Sequence, residues 1–244
     1  SPALIGSFAL LGLFPLLAKK TAEAAKARRA LARYPKPKRF DRNLVVIGAG
    51  SGGLVSAYIA AAAKAKVTLI EKDRMGGDCL NTGCVPSKAL LRTARFIAQA
   101  RRAESLGLKR AEVEVDFAEV MARVRRVIQT IEPHDSIERY TELGVEVLRG
   151  EARITSPYTV AVNGHELSTR SIIIATGAHP TIPPIPGLAE SDFLTSETVW
   201  NLRELPRRLV VLGGGPIGCE LAQAFARLGS QVTLVEMSER LLPC

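Results

Sequence analysis

Twice along the chain a short apolar run gives way to a glycine cluster, then to a stretch with helical spacing, then to a second apolar run closed by an acid. The first copy reads Leu44-Val45-Val46-Ile47, then Gly48-Ala49-Gly50-Ser51-Gly52-Gly53, an Ala-rich stretch from Leu54, and Val67-Thr68-Leu69-Ile70-Glu71. The second reads Leu209-Val210-Val211-Leu212, Gly213-Gly214-Gly215-Pro216-Ile217-Gly218, a helical stretch from Cys219 to Leu228, and Val232-Thr233-Leu234-Val235-Glu236. Each acid follows the first glycine of its copy by 23 residues, from 48 to 71 and from 213 to 236. The pattern predicts two strand-glycine-helix-strand units. Between them, periodicity predicts a helix through residues 89–102 that opens near Cys84, and an amphipathic helix from Phe117 to Ile131 broken at Pro133. Short strands are expected at 145–149, 152–154 and 159–162, with Asn163-Gly164 as a hairpin turn. A further apolar strand, Ser171 to Ala175, ends in the polar turn Thr176-Gly177.

In such a unit the glycines serve a tight turn, close approach of backbone to pyrophosphate, and close packing of helix on strand. The helix N-terminus then receives phosphate charge, and the closing acid is placed to accept hydrogen bonds from ribose hydroxyls. One such motif is weak; two complete copies at equal spacing are strong. Gly48, Gly50, Gly52, Gly53 and Glu71 are therefore expected at one nucleotide site, and Gly213, Gly215, Gly218 and Glu236 at a second. The fold class is α/β, with two Rossmann-like doubly wound nucleotide-binding domains.

Composition adds an asymmetry. The chain has 244 residues, 47% of them hydrophobic, enough for a substantial core. Residues 1–18 hold no charge and read as the end of a transmembrane helix. Residues 19–42, read as a basic linker, carry ten Lys and Arg against Glu23 and Asp41, nearly all of the formal net charge of +9. That order is opposite to a secretory signal and fits the positive-inside rule, placing the remainder on the cytoplasmic face of the inner membrane. Basic residues beside a span can also hold anionic lipid headgroups. No aromatic interleaving or RNA module accompanies them, so nucleic acid is not expected as a partner. Four prolines between 180 and 186 mark a boundary. The division is 43–190 for the first nucleotide domain with its cysteine motif, and 191–244 for the second, truncated one. The chain reads as an internal fragment of a longer protein.

The chemistry is concentrated in Gly76-Gly77-Asp78-Cys79-Leu80-Asn81-Thr82-Gly83-Cys84-Val85-Pro86-Ser87-Lys88. Over five residues a helix rises about 7.5 Å, too far for a disulfide, so Gly83 and Pro86 should bend the chain and let Cys79 and Cys84 close a reducible bond. A helix N-terminus beside them should lower the thiol pKa. The alternatives are a stapling disulfide or half of a zinc site. Cys219 and Cys244 are single and distant, so no metal site is expected. His134, His165 and His179 read as surface residues.

From Asn43 onward the chain resembles the class I pyridine nucleotide–disulfide oxidoreductases, such as dihydrolipoamide dehydrogenase, glutathione reductase and mercuric reductase. That resemblance implies FAD at the first nucleotide site and NADH or NADPH at the second. It also implies that Cys79 exchanges with substrate, Cys84 contacts the flavin, Lys88 lies near flavin N5, and Thr176 and Gly177 touch FAD. A Lys88–Glu220 ion pair and a homodimer are implied too, the latter through a C-terminal domain whose His-Glu pair this sequence does not contain. Asp78 and Thr82 depart from the threonine and valine usual in the family, and the electron acceptor stays open among disulfides, metal ions and quinones. The apolar start is similar to the junction of members fused behind a membrane domain. Glu236 favours NADH, because a 2′-phosphate would meet its charge, with Arg240 as the opposing influence. A membrane-tethered flavin-binding module without turnover is the alternative, and intact Cys79, Cys84 and Lys88 favour the enzyme.

Overall fold

A computed structural model describes residues 18–242. The expected end of a transmembrane helix falls on residues outside that range, apart from Ala18. Among the described residues no helix is long and apolar enough to cross a membrane. Within the basic segment, residues 18–31 are helical and exposed throughout. Ala, Lys, Arg and Glu dominate there and all are strong helix formers, while Pro35 prevents continuation.

The first unit folds as β1 (Arg42–Ile47), α1 (Ser51–Ala62) and β2 (Val67–Glu71). Two helices follow, α2 (Gly77–Asn81) and α3 (Cys84–Ala100), then α4 (Phe117–Ile131) and α5 (Ile137–Glu142). Side chains cap the last two at their N-termini: Asp116 accepts from the Glu119 N–H at 3.0 Å and Ser136 from the Arg139 N–H at 3.1 Å. Strands β3 (Val145–Arg149), β4 (Arg153–Ser156), β5 (Thr159–Val162) and β6 (His165–Ile174) complete a six-stranded mixed sheet in the order β3-β2-β1-β6-β5-β4. Between β5 and β6, Asn163 and Gly164 both have positive φ, the backbone of a tight hairpin. Strand β6 is shared, pairing antiparallel with β5 through its first half and parallel with β1 through its second.

Val45 and Val46 on β1, and Leu69 and Ile70 on β2, are almost fully buried, as central parallel strands require when both faces are covered. The covering differs on the two faces. On one, Leu54, Ala57 and Ala61 of α1 pack with Tyr140 against Val46 and Leu69. On the other, Val160 and Val162 of β5 meet Val45, Ile47 and Ile70. The doubly wound expectation is corrected there: a β-hairpin takes the place of a helical layer, because alternation along β5 puts both valines on one side.

The second unit has β7 (Arg208–Leu212), α6 (Pro216–Leu228) and β8 (Gln231–Val235), with β7 and β8 forming a separate two-stranded parallel sheet. Its helix α6 joins α3 and α4 in the largest apolar cluster, which includes Leu90, Met121, Trp200 and Phe225. Phe225 is 1% exposed, and its ring lies 6.1 Å from that of Phe117. Phe225→Ala should destabilise the chain by about 3–5 kcal/mol, read from urea unfolding. A loss below about 1 kcal/mol would mean that the second unit does not share this core.

Candidate functional site

The C-terminal ends of β1, β2, β3 and β6 open into one cleft of about 570 Å³. Gly48 leaves β1 with φ +99°, and a Cβ there would stand 2.3 Å from the Ala175 carbonyl oxygen, so only glycine lets the two strand ends lie side by side. Gly50, Ser51 and Gly52 carry the wall to the N-terminus of α1, where the free N–H groups of the first turn face the cleft. Gly53 packs the helix on the strand, since a Cβ on it would lie 1.8 Å from the Gly48 carbonyl oxygen. A Cβ on Gly52 would meet nothing within 4 Å, so Gly52 has no steric task here. Thr176 and Gly177 line the same cleft.

Glu71 ends β2 and braces the glycine turn. Its Oε2 accepts from the Ala49 N–H at 2.6 Å and its Oε1 from the Asp73 N–H at 2.8 Å. Glu236 repeats the device, accepting from the Gly214 N–H at 2.5 Å and the Ser238 N–H at 2.7 Å. Those backbone donors, Ser238 first, hold the Glu236 carboxyl below its ordinary pKa. The repeat thus extends from sequence to hydrogen-bond pattern. Gly213, Gly215 and Gly218 line a second cavity of about 790 Å³ against the exposed face of β7, whereas Glu236 lies off its wall.

The cysteine motif reaches the first cleft by main-chain contact. Gly77 has φ +53°, and a Cβ on it would stand 2.6 Å from Gly50 Cα. That approach brings Asp78, Cys79, Asn81 and Thr82 onto the cleft wall. Asn81 donates to the carbonyls of Met75 at 3.0 Å and Gly77 at 2.9 Å, fixing the loop. Asp78 faces the Thr176-Gly177 turn, its Oδ2 3.6 Å from where a Cβ on Gly177 would be. The chain breaks between α2 and α3 as expected: the N–H groups of Thr82 and Gly83 both donate to the Asp78 carbonyl. Pro86 lies in the first turn of α3, where its missing N–H leaves no helix bond unmade.

Cys79 and Cys84 are free thiols, Cys79 half-buried and Cys84 exposed at the first position of α3. The expected lowering is reversed at Cys79. Burial pushes its thiol up, the adjoining Cys84 and the Asp135 carboxylate add to this, and the Lys88 ammonium opposes it. Cys79 sits within a five-residue helix, too short for a substantial dipole, so desolvation and negative neighbours prevail. Lys88 and Glu220 are both exposed on helices that pack together, and they form no ion pair.

Three residues at this site were missed by sequence reasoning. Asp135 is half-buried, its carboxyl pushed up by burial. Trp200, the chain's single tryptophan, donates its indole N–H to the Thr82 carbonyl at 2.7 Å and the Ser196 carbonyl at 2.8 Å, tying the loop between the cysteines to a segment 118 residues away. His179, read as an isolated surface residue, pairs through Nδ1 with Glu197 Oε1 at 2.8 Å, and both line the cleft. Only Trp200 carried a signal, being a large amphipathic side chain that is usually buried with its N–H satisfied. Among the described residues no three His, Cys, Asp or Glu side chains converge on a metal-sized site.

Residues 42–244 match the family model described as pyridine nucleotide-disulphide oxidoreductase. The chain is 40% identical over 203 residues to a mercuric reductase of Bacillus cereus, which covers 83% of this chain and 32% of that protein. It is 37% identical over 208 residues to a dihydrolipoyl dehydrogenase of Acholeplasma laidlawii, covering 83% and 62%. The HOCl-induced flavoprotein disulfide reductase RclA from Escherichia coli superposes with a TM-score of 0.70 at 32% identity, over 82% of this chain and 43% of that one. The chain thus spans about a third of the mercuric reductase and under half of RclA.

Asp135 offers a direct test of the site's electrostatics. In the reduced protein, alkylation of Cys79 by iodoacetamide, followed by peptide mass spectrometry, should rise with pH through a midpoint above the ordinary thiol range. Asp135→Asn removes a negative neighbour, moves that midpoint down and should speed alkylation at neutral pH about threefold. An unchanged or slower rate would remove Asp135 from the site.

Proposed function

Because this chain belongs to the pyridine nucleotide-disulphide oxidoreductase family, whose members are FAD-dependent and use NAD(P)H, we propose that it forms the redox centre of such an enzyme. The observation that carries the proposal is that Cys79 shares one cleft with the glycine turn, Glu71 and the Thr176-Gly177 turn. These residues fit FAD: the turn is closed by backbone alone, the first turn of α1 offers N–H donors for a pyrophosphate, and Glu71 has lone pairs left for ribose hydroxyls after bracing the loop. A bound flavin supplies the two-electron relay between nicotinamide and the cysteine pair.

The chain's own residues account for the rest. Two electrons and two protons convert a Cys79–Cys84 disulfide into two thiols. Cys79 then gives up its proton to attack an oxidised acceptor, and Cys84 displaces the product by re-forming the disulfide. Lys88 favours the thiolate at Cys79 while burial and Asp135 hold it back, so the Cys79 thiol keeps its proton until a substrate or a further cation reaches the cleft. The acceptor falls in the class of disulfides, metal ions or quinones, and the whole enzyme is proposed as a homodimer. The uncharged residues 1–18, followed by nine basic residues before β1, support a tether that holds this centre at the cytoplasmic face of the inner membrane.

On two-electron reduction, the FAD-loaded full-length protein should show a long-wavelength thiolate-to-flavin absorption band. Cys79→Ser should retain the band and Cys84→Ser should abolish it; the opposite pattern would exchange the two roles.

NADH is the proposed reductant. The lowered pKa of Glu236 leaves it ionised at neutral pH, where a 2′-phosphate would face like charge. Arg240 is too exposed to offset this. Higher kcat/KM with NADPH than with NADH would overturn the assignment, whereas Glu236→Ala should narrow the NADH preference several-fold.

A further inference from the structure

The end of the sheet opposite the redox cleft holds a polar cavity of about 660 Å³ that electron transfer leaves unused. Its walls are the segment 36–43 leading into β1, Lys66 just before β2, Tyr158 just before β5, and Arg170 on β6. Lys36, Lys38, Arg39, Arg42, Lys66 and Arg170 ring it, with Asp41 as the one acid on its wall.

The negative charge near this ring is already engaged. Ser168 donates its N–H at 3.0 Å and its hydroxyl at 2.7 Å to Asp41 Oδ2, and those bonds hold the Asp41 carboxyl below its ordinary range. Glu146 pairs with Arg42 at 2.6 Å. The other five cations have no ion-pair partner among the described residues. The Phe40 and Tyr158 rings lie 6.1 Å apart and, with the Asp41–Ser168 bonds, pin the entering segment to the sheet. The cations therefore line a built concavity.

We propose that this cavity binds the phosphate-ester headgroup of an anionic membrane lipid, an inference that rests on the membrane-tethered reading for the source of its ligand. A lipid is favoured over a soluble phosphate because the exposed basic helix 18–31 directly precedes the cavity and the uncharged stretch precedes that helix. Tyr158 supplies an amphipathic ring of the kind found at membrane interfaces. The geometry agrees: roughly 17 Å of β1 separates the two ends of the strand, so a lipid held at its start leaves the redox cleft turned away from the membrane.

The test uses the full-length protein with vesicles of phosphatidylcholine alone or of equal parts phosphatidylcholine and phosphatidylglycerol, and lysine acetylation read by mass spectrometry. Failure to associate with phosphatidylcholine vesicles removes the tether, while the cavity is still tested with the anionic ones. The anionic vesicles should slow acetylation of Lys36, Lys38 and Lys66 about fivefold relative to phosphatidylcholine, leaving Lys72 on the cleft rim and the distant Lys109 unchanged. Arg39→Ala combined with Arg170→Ala should abolish the slowing at Lys66. The proposal is overturned if slowing is confined to Lys19, Lys20 and Lys26, or if the double variant keeps it. It is equally overturned if inorganic phosphate or a single-stranded oligonucleotide protects the same lysines without vesicles.

Discussion

Main chain touching main chain is the constraint on which this site depends. Gly48 lies against the Ala175 carbonyl and Gly77 against Gly50 Cα, each at a separation that a single methyl group would abolish. The first contact sets two parallel strand ends side by side; the second lays the cysteine loop on the glycine turn. Neither is a strong attraction. Their importance is steric, because side chains at these points would separate the glycine turn from Cys79. Hydrogen bonds then fix what the glycines permit: Asn81 holds the loop from within, and Glu71 holds the turn from the neighbouring strand.

The same sequence pattern meets two environments in this molecule. Strands β1 and β2 are enclosed by α1 on one face and the β5 hairpin on the other, so their apolar residues are buried without alternation. Strands β7 and β8 have equally apolar sequences but alternate between half-buried and exposed residues, because α6 covers one face only. Val210 is 62% exposed where Val45 is fully buried. Local pattern therefore specifies strand, turn and helix in both copies, while burial is decided by what lies across the sheet. The Glu71 and Glu236 braces form in both, since each needs only its own strand end and glycine turn.

That division also explains what was legible in the sequence. The repeat, the break at Gly83, α4 and the Asn163-Gly164 turn depend on neighbours in the chain, and β2, α4, β3 and β5 fall at the expected residues. The two acids were legible as the residues that close each unit, but their bracing hydrogen bonds were not. The hairpin layer, the Trp200 bond and the proximity of Asp135 to Cys79 join segments far apart in sequence, and nothing local announces them. The pKa of Cys79 was misread for a related reason. A helix-terminus argument considers one element, whereas the thiol responds to burial and to charges from other elements.

Trp200 shows why the two repeated units are one structure. Its ring belongs to the cluster that joins α3, α4 and α6, and its N–H reaches the Thr82 carbonyl between Cys79 and Cys84. The helix that begins at Cys84 is the same helix whose Leu90, Ala94 and Ile97 contribute to that cluster. The cysteine loop is thus anchored twice, through α3 and through Trp200, to a core containing Phe225 of the second unit. On the other side it rests on the glycine turn of the first. A displacement of α6 would be transmitted to the cysteines through close-packed side chains, which resist deformation more than a solvated linker does. The cysteine loop is therefore positioned jointly by both strand-glycine-helix-strand units, and its geometry belongs to neither alone.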